Sequence, residues 1–441
     1  GNCWGPDCPN SMASVLEPTQ GEHEKNAANT QGSDASSSSH AIQLIRVEGE
    51  KFRFTEEGRA FLSSLKAPLC VVSVVGQQKS GKSFFSNKVL LNLSSKGFAV
   101  ASSTASCTEG IWVWSEPRTV QLKTGIATCI VLDTQGSGSI DHDSTQDAKI
   151  LSLAVLLSSF LIYNTIGHLN DAVMNELSLV SQLSLHICDR KLRQDHEYDN
   201  PNCQKISSIS KHFPSLLWVL RDFSLDLKDE KENPISANQY LEIALAPRKS
   251  HESNTATVAE EIAAKNRLKS AFCGLFTTRD CATLRRPVEE ESKLQTLELL
   301  PWSEFRPDFV RDVELVRDKI WSAAQSKTLD GRFLDGPALA VLLEQYSEAL
   351  GSGDCVSISD SLTQVVATKN RQAAEAAERH GVERLNELRS EFPLAAAALE
   401  ERLGLIQVRL SPKPGRPPPP RMAASQRSCV RASPRALTLA F

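Results

Sequence analysis

The chain has 441 residues, of which 41% are hydrophobic and 23% are charged, and its formal net charge is −4. This composition is ordinary for globular proteins, so it excludes global disorder, collagen-like repeats and a small disulfide-stapled fold. A nearly neutral chain gives no electrostatic reason to expect nucleic acid as a partner. Trp112 and Trp114 are two positions apart, which is the spacing of side chains on one face of a strand. We interpret them as one face of a half-buried strand and not as a platform for stacked bases.

The eleven cysteines are scattered singly, with no Cys-x-x-Cys pair and no Cys/His cluster of zinc spacing. An odd, dispersed set is typical of reduced thiols, so we predict a cytoplasmic protein. The longest apolar run, Leu151–Ile166, is interrupted by polar residues and falls short of a membrane span of ~20 residues. We interpret this run as a helix end that leads into a buried strand, and we expect no transmembrane anchor.

Both ends of the chain have the composition of disordered segments. Residues 1–40 are rich in Ser, Asn, Gly and Gln, which predicts a disordered leader, with structure beginning near Ile42. Residues 411–441 contain a proline run and six basic residues without an acidic one, which predicts a disordered, Pro-rich basic tail. Contact of this tail with an anionic membrane surface is the alternative to a merely flexible tail.

Between residues 68 and about 320, short apolar runs alternate with segments of helical period. Such runs are typical of a mostly parallel sheet that is covered by helices on both faces. The predicted strands are Leu69–Val75, Cys129–Leu132, Leu216–Leu220 and Phe272–Phe276. Beyond about residue 330, helical spacing over Leu339–Leu350 and Ile358–Leu403 predicts an all-α extension with a solvated charged face.

The segment Gly76–Ser83 reads Gly-Gln-Gln-Lys-Ser-Gly-Lys-Ser, which fits the phosphate-binding pattern G-x-x-x-x-G-K-[ST]. It follows a predicted buried strand and opens a helix, so we predict an α/β fold of the P-loop NTPase class. Backbone N–H groups can hold phosphate oxygens, Lys82 can bridge the β- and γ-phosphates, and the Ser83 hydroxyl can ligate Mg²⁺. A glycine-rich turn with a surface lysine is the disfavoured alternative. The predicted nucleotide-binding residues of this loop are Gly76, Gln77, Gln78, Lys79, Ser80, Gly81, Lys82, Ser83 and Phe84.

Further along the chain, Asp133-Thr-Gln-Gly136 follows the second predicted strand. An aspartate at that place can hold Mg²⁺, and Gly136 can offer its N–H group to the γ-phosphate. Thr108 lies on the loop between the first helix and the next strand, where a hydroxyl can ligate Mg²⁺ and sense the γ-phosphate. We therefore predict Ser83, Thr108 and Asp133 as the metal ligands.

The third predicted strand ends in Leu220-Arg221-Asp222. A carboxylate there can accept hydrogen bonds from guanine N1–H and N2–H₂, a pair of donors that adenine lacks. The asparagine-first pattern N-K-x-D is absent, so spacing alone explains Asp222 equally well as a turn or helix cap.

These motifs, taken together, resemble the guanylate-binding proteins, which are large dynamin-like GTPases related to the atlastins. Similarity extends over about residues 42–403. It is carried by the stretches Gly76–Ser83, Thr104–Trp114, Val131–Gly138, Leu153–Gly167 and Phe213–Leu227. The resemblance implies a GTPase domain over 41–325 and a helical domain over 326–410 that is truncated relative to the family. It also implies Mg²⁺-dependent hydrolysis of GTP, nucleotide-dependent homodimers formed through the GTPase domains, and Arg221 with Asp222 as the guanine-specifying pair.

Three departures from the family pattern bear on catalysis. Lys79 stands where the family usually has an arginine that acts as a catalytic finger, and lysine lacks the planar guanidinium fork. Gln135 stands where a glutamate is usual, although atlastins carry glutamine. Val219 replaces a threonine, and Cys107 replaces a histidine. Ser106 aligns with the serine that orients the attacking water, so the predicted catalytic residues are Lys79, Lys82, Ser106 and Thr108.

Three functions are compatible with this sequence. A GTPase is the leading hypothesis, with GTP and GDP as ligands and Mg²⁺ as cofactor. A GTP-gated binding module that hardly turns over is the first alternative, and Lys79 favours it. An atlastin-like membrane tether is the second alternative, and it needs membrane anchors that the sequence does not show.

Overall fold

The structure of the protein is a computed structural model. It describes residues 39–49, 51–93, 97–100, 109–137, 144–169, 210–248, 256–329, 331–352, 358–389, 397–398 and 400–403. The chain divides into two compact units, Gly1–Val366 and Ala367–Phe441. The predicted tail and nearly all of the predicted leader lie outside the described residues. These two segments and the predicted domain boundaries stay predictions.

The first unit is built on a nine-stranded sheet. Its strands in chain order are β1 (Ala41–Glu48), β2 (Lys51–Phe54), β3 (Leu69–Val75), β4 (Ile111–Trp114), β5 (Arg118–Leu122), β6 (Gly125–Thr134), β7 (Phe160–Ile166), β8 (Ser215–Arg221) and β9 (Arg279–Leu284). The spatial order is β2-β1-β4-β6-β3-β7-β8-β9, and β5 pairs with the first half of β6. The neighbouring strands β6, β3, β7, β8 and β9 run parallel to one another. The other four strands, β1, β2, β4 and β5, form antiparallel pairs. The predicted α/β fold with a parallel central sheet is confirmed.

Helices cover both faces of this sheet. The helices of the first unit are, in chain order, α1 (Glu56–Ser64), α2 (Lys82–Phe84), α3 (Ser144–Leu157), α4 (Ala237–Leu245), α5 (Ala256–Leu275), α6 (Pro307–Ala323) and α7 (Gly336–Ser352). The helix α8 (Ile358–Arg389) begins in the first unit and continues into the second. The short α2 continues directly as a π-helix over Phe85–Leu90. Two 3₁₀ helices span Glu291–Leu299 and Trp302–Glu304, and a small hairpin joins β10 (Thr328–Leu329) to β11 (Arg332–Phe333).

Two apolar clusters lie on opposite faces of the sheet. Successive residues of β3 alternate between them, so Val71 and Val75 join one cluster while Val72 and Val74 join the other. The first cluster contains residues of α1, α3, α4, α5 and α7, and the second contains residues of the Lys82–Leu90 helical segment and α6. Strands that are buried on both faces are apolar throughout, which is why β3, β6 and β8 are recognisable in the sequence.

Two local predictions are confirmed. The apolar run 151–166 is the end of α3 followed by β7, as interpreted. In β4, Trp114 is buried and Trp112 packs beside it in the second apolar cluster. The two tryptophans therefore share one face of a strand.

One predicted strand is wrong. Phe272–Leu275 forms the end of α5, and the strand that follows is β9, over Arg279–Leu284. Short apolar runs do not distinguish a buried helix end from a buried strand. β9 lies at the sheet edge and carries Arg279 and Asp280, so it lacks the continuous apolar run that the prediction required.

The helical segment after β3 is held at its C-terminal end by two arginines. The last four carbonyls of such a segment have no partner within it. Arg317 of α6 donates from Nε to Val89 O at 2.9 Å and from Nη2 to Lys88 O at 3.3 Å. Arg118 of β5 donates from Nη1 to Leu90 O at 3.0 Å and from Nη2 to Leu91 O. The segment is therefore fixed relative to β5 and α6, and its other end is the predicted phosphate loop.

The described part of the second unit lies mainly on α8. Glu375, Glu378 and Glu383 are exposed there, as expected for a solvated helix face. Among the residues with a described structure, no helix has both the length and the apolar character that a membrane crossing requires.

Candidate nucleotide site

The predicted loop Gly76–Ser83 lies at the carboxyl edge of the parallel strands, directly after β3. In the sheet, β3 lies between β6 and β7. The chain fills the β6 side of β3 first and then crosses to β7 on the other side. In open α/β sheets this reversal of direction opens a crevice outside the strand ends, where ligands bind. The fold thus places the loop where a phosphate-binding loop is expected.

Gly76 is a position that only glycine can occupy. Its φ is +139°, and a Cβ there would overlap the carbonyl oxygen of Asn164 on β7. The loop also pairs with the segment after β6, because Gln78 N–H donates to Ser137 O at 2.8 Å and Ser137 N–H donates to Gly76 O at 3.3 Å. Lys79 is exposed and has a left-handed φ of 59°.

Lys82 is buried, and its ammonium lies back over the loop. Its Nζ donates to the Gln77 carbonyl at 2.9 Å. Gly136 lies against the same group, since a Cβ at Gly136 would be 2.5 Å from Lys82 Nζ. The ammonium, the loop backbone and the Gly136 backbone therefore border one space. An ammonium beside backbone N–H groups is a typical arrangement for holding phosphate.

Asp133 lies at the end of β6 and is fully buried. Its Oδ2 accepts a hydrogen bond from Ser83 Oγ at 2.6 Å, and its Oδ1 accepts one from Ser86 Oγ at 3.4 Å. Burial raises the pKa of Asp133 to about 6, against the opposing effects of the Ser83 hydrogen bond and the Lys82 charge. The carboxylate is thus held close to one serine that the sequence singled out and one that it did not.

Ser83 and Asp133 fit a magnesium site. Both are hard oxygen donors, and Mg²⁺ is usually held by one or two protein groups together with phosphate oxygens and water. Within the described residues there is no group of three or more His, Cys, Asp or Glu that could hold a metal on its own. Thr108, the third predicted ligand, lies outside the described residues, as do Ser106 and Cys107.

We expect Asp133→Asn to stabilise the nucleotide-free protein at pH 7. Because the folded pKa is raised from 3.8 to about 6, the native state binds the proton more tightly, and stability falls as the pH rises through this window. The shift corresponds to about 3 kcal/mol in the free energy of unfolding. Urea unfolding in EDTA at pH 4 and pH 7 measures it. Equal pH dependence of wild type and variant would contradict the proposed environment of Asp133.

The end of β8 carries two predicted residues with different surroundings. Arg221 is buried, donates from Nη1 to the Gly81 carbonyl at 3.3 Å and lies 5.4 Å from the ring centre of Phe84. Burial lowers the pKa of Arg221, and the charge of Asp222 partly opposes this effect. Asp222 itself is exposed, with a left-handed φ of 54°. Arg221 therefore holds the phosphate loop through the Gly81 carbonyl, while the side chain of the next residue, Asp222, is exposed to solvent.

Gln135 joins three elements of the structure. Its Oε1 accepts from Gly110 N–H at 3.1 Å, and its Nε2 donates to Asp147 Oδ1 at 3.1 Å. Its own N–H donates to Gly110 O at 2.9 Å. The residue before β4, the end of β6 and the first turn of α3 are connected in this way. Asp147 was not anticipated, since nothing in the local sequence indicates a contact with Gln135.

Asn164 is a further residue of the site that sequence reasoning missed, in addition to Ser86 and Asp147. It is fully buried on β7, and its Nδ2 donates to Ser80 O at 2.7 Å and lies 3.1 Å from Ser80 Oγ. A polar side chain near the end of an otherwise apolar strand was the available signal.

Comparison with known proteins supplies the family. The family model described as "Guanylate-binding protein, N-terminal domain" matches residues 49–329. "Guanylate-binding protein 1" of Homo sapiens is 31% identical over 364 residues, which cover 82% of this chain and 58% of that protein. The Mus musculus protein of the same name is 31% identical over 369 residues, 83% of this chain and 59% of that protein. "Guanylate-binding protein 3" of Homo sapiens is 31% identical over 354 residues, 80% of this chain and 56% of that protein.

The chain spans somewhat more than half the length of these curated relatives. The family match includes the phosphate loop, the strand end at Asp133 and the strand end at Asp222. On this evidence, the chain belongs to the guanylate-binding protein family.

Proposed function

We propose that this chain binds guanine nucleotides together with Mg²⁺ and hydrolyses GTP. One observation carries the proposal: the buried ammonium of Lys82, the Gly136 backbone and the Ser83–Asp133 pair meet at the end of β3. These are the groups that a triphosphate with a bound divalent cation requires. Membership in the guanylate-binding protein family supports the same assignment.

The phosphate groups would be held mainly by the loop. Lys82 would exchange its bond to Gln77 O for phosphate oxygens, and the first N–H groups of the following helix would point toward the same anion. Ser83 and Asp133 would hold Mg²⁺, which when bound neutralises charge on the phosphates. Lys79, Ser106 and Thr108 are proposed to position the attacking water and to stabilise the charge that develops on the transferring phosphoryl group. Catalysis of this kind works by positioning and needs no dedicated base.

The base would be selected by Asp222. β8 lies two strands away from β3 in the sheet, on the β7 side, so its end is displaced sideways from the phosphate loop. An exposed carboxylate at that end is available to accept both donors of a guanine edge. Arg221 is already bonded to the loop, so we assign base recognition to Asp222 and loop support to Arg221.

Base selectivity tests this proposal. We expect the wild-type protein to bind Mg²⁺-GDP more tightly than Mg²⁺-ADP, and Asp222→Asn to weaken GDP binding about 30-fold through loss of one charge-assisted hydrogen bond. Asp280→Asn is a suitable control, because Asp280 lies on β9 and pairs with Lys319 at 2.9 Å. Wild-type binding without preference between GDP and ADP, measured by calorimetry, would contradict the proposal.

A GTP-gated binding module with little turnover is the second candidate. The observation that favours it is Lys79, which supplies a charge to the loop without the planar fork of the family's arginine. Both candidates require tight guanine-nucleotide binding, so they differ only in the rate of hydrolysis.

We also propose nucleotide-dependent pairing of two chains through their GTPase domains and a cytoplasmic location. Family membership supports the pairing, and sedimentation with and without a non-hydrolysable GTP analogue measures it. The cysteines that the structure describes are all unpaired, which supports a reducing compartment. They are Cys70, Cys129, Cys273 and Cys281.

A further inference from the structure

We propose that Asn164 is a positioning residue that fixes the orientation of one peptide group in the phosphate loop. The inference rests on the proposed function of the loop as a nucleotide site. Asn164 lies on β7, the strand that pairs in parallel with β3. Because β3 leads directly into the loop, the end of β7 lies beneath it.

Asn164 contacts the loop at two separate places. Its backbone carbonyl lies so close to Gly76 that a Cβ on Gly76 would overlap it. Its side-chain Nδ2 donates to the Ser80 carbonyl at 2.7 Å and lies 3.1 Å from the Ser80 hydroxyl. The first contact is made where the loop leaves the strand, and the second is made just before the following helix. One residue of β7 therefore touches both ends of the loop.

The contact with the Ser80 carbonyl determines where the next N–H group points. In a trans peptide group the C=O and the N–H point in opposite directions. Asn164 holds the Ser80 carbonyl down toward β7, so the N–H of Gly81 is turned away from the sheet. That side of the loop is where a phosphate group would lie. The amide of Asn164 thereby orients a donor that it does not itself touch.

The next peptide group, between Gly81 and Lys82, is also held through its carbonyl. The Gly81 carbonyl accepts from Arg221 Nη1 at 3.3 Å and from Phe85 N–H at 2.9 Å. Two consecutive carbonyls of the loop are thus held from below by side chains of β7 and β8. With both carbonyls held, the peptide groups that lead into Gly81 and Lys82 are fixed in orientation, and the N–H group of Gly81 faces the side on which a phosphate group would lie. The loop is therefore held in a binding conformation in advance, and Asn164 supplies the first of its two supports.

The other end of the Asn164 amide is consistent with a role in positioning. Its Oδ1 is buried and has no hydrogen-bond partner among the residues that the structure describes. A buried, unpartnered amide oxygen costs stability, and an apolar side chain of similar size would avoid that cost. If β7 needed only packing at this place, an amide would be a poor choice. An asparagine differs from such an apolar side chain in that its Nδ2 donates to the Ser80 carbonyl. This contact explains why an amide is found here.

The test compares variants of Asn164 with a matched variant of the next residue on the same strand. Thr165 is equally buried, and its Oγ1 accepts from Trp218 Nε1 at 3.0 Å, away from the loop. We expect Asn164→Ala and Asn164→Leu to raise the dissociation constants for Mg²⁺-GDP and Mg²⁺-GTP at least about tenfold relative to Thr165→Val. The leucine variant is similar in size to asparagine, carries no charge and removes the donor, so it covers the case in which the alanine variant does not fold.

Two further measurements separate positioning from a purely structural role. The ratio of GDP to inosine diphosphate affinity should stay within twofold of wild type, because the base contact at Asp222 is untouched. Thermal unfolding without nucleotide should place the leucine variant close to Thr165→Val. A folded Asn164 variant that binds Mg²⁺-GDP within twofold of Thr165→Val would overturn the inference and leave the proposed function standing. A wild-type protein that binds no guanine nucleotide would overturn both.

Discussion

Replacing Lys82 with alanine is expected to weaken the binding of Mg²⁺-GDP and Mg²⁺-GTP about 10³-fold. The Lys82 ammonium is the buried positive charge that borders the space between the loop and Gly136. A lysine that bridges two phosphate groups makes two charge-assisted hydrogen bonds, each worth about 1.5–3 kcal/mol. Loss of both corresponds to about three decades in the dissociation constant.

A second buried lysine of the same helical segment provides the control. Lys88 lies six residues further along, and its Nζ donates to Leu300 O at 3.4 Å, outside the loop. Lys88→Ala should therefore cost stability but change the dissociation constant for GDP only a few-fold. The measurement is a titration of each folded variant with fluorescent GDP in the presence of Mg²⁺. If Lys82→Ala kept tight, guanine-selective binding, the nucleotide site would have to lie elsewhere in the protein.

The central part of the fold was predictable because its strands are buried on both faces. Leu69–Val75 coincides with β3, and the predicted runs at Cys129–Leu132 and Leu216–Leu220 lie within β6 and β8. The apolar pattern could not identify β9, because this edge strand begins with the charged residues Arg279 and Asp280. The pattern assigned the apolar end of α5 to a strand instead. Local patterns report how deeply a segment is buried, and edge strands are the least buried part of a sheet.

In the candidate site, too, some residues could be predicted from the sequence and others could not. The loop Gly76–Ser83 could be recognised because its geometry depends on glycines that are adjacent in the chain. The contacts that hold the loop in place are made by residues far away in sequence. Asn164 bonds to Ser80 across 84 positions, and Arg221 bonds to Gly81 across 140. Only the order of the strands in the sheet brings these pairs together, and no local pattern contains that order.

The position of Arg221 shows why the structure adds to a motif. The sequence groups Arg221 with Asp222, because the two are adjacent at the end of one strand. In the structure Arg221 is buried against the loop, whereas Asp222 is exposed. Arg221 is the last residue of β8, and Asp222 follows it with a left-handed φ of 54°. The chain turns between them, so the two adjacent residues can serve different parts of one ligand. The proposed division of labour, in which Arg221 supports the phosphate loop and Asp222 reads the base, follows from this geometry.

Replacing Lys79 with arginine is expected to raise the rate of GTP hydrolysis about 10²-fold without changing nucleotide affinity. An arginine finger contributes about 10³–10⁵ in rate, and lysine already supplies the charge but not the bidentate fork. Lys79 is exposed and has a left-handed φ of 59°, so arginine meets the same backbone conformation and the same solvent as lysine does. The substitution should therefore leave the fold and the ground-state contacts intact.

Single-turnover release of phosphate from Mg²⁺-GTP measures this effect, and Lys79→Gln serves as the matched variant that removes the charge. A slow wild type, an accelerated Lys79→Arg and a still slower Lys79→Gln would mean that the native loop favours a long-lived GTP state. The protein would then act mainly as a GTP-gated binding module. A fast wild type that arginine does not accelerate would contradict the expectation, because it would show that an ammonium at this place stabilises the transferring phosphoryl group as well as a guanidinium does.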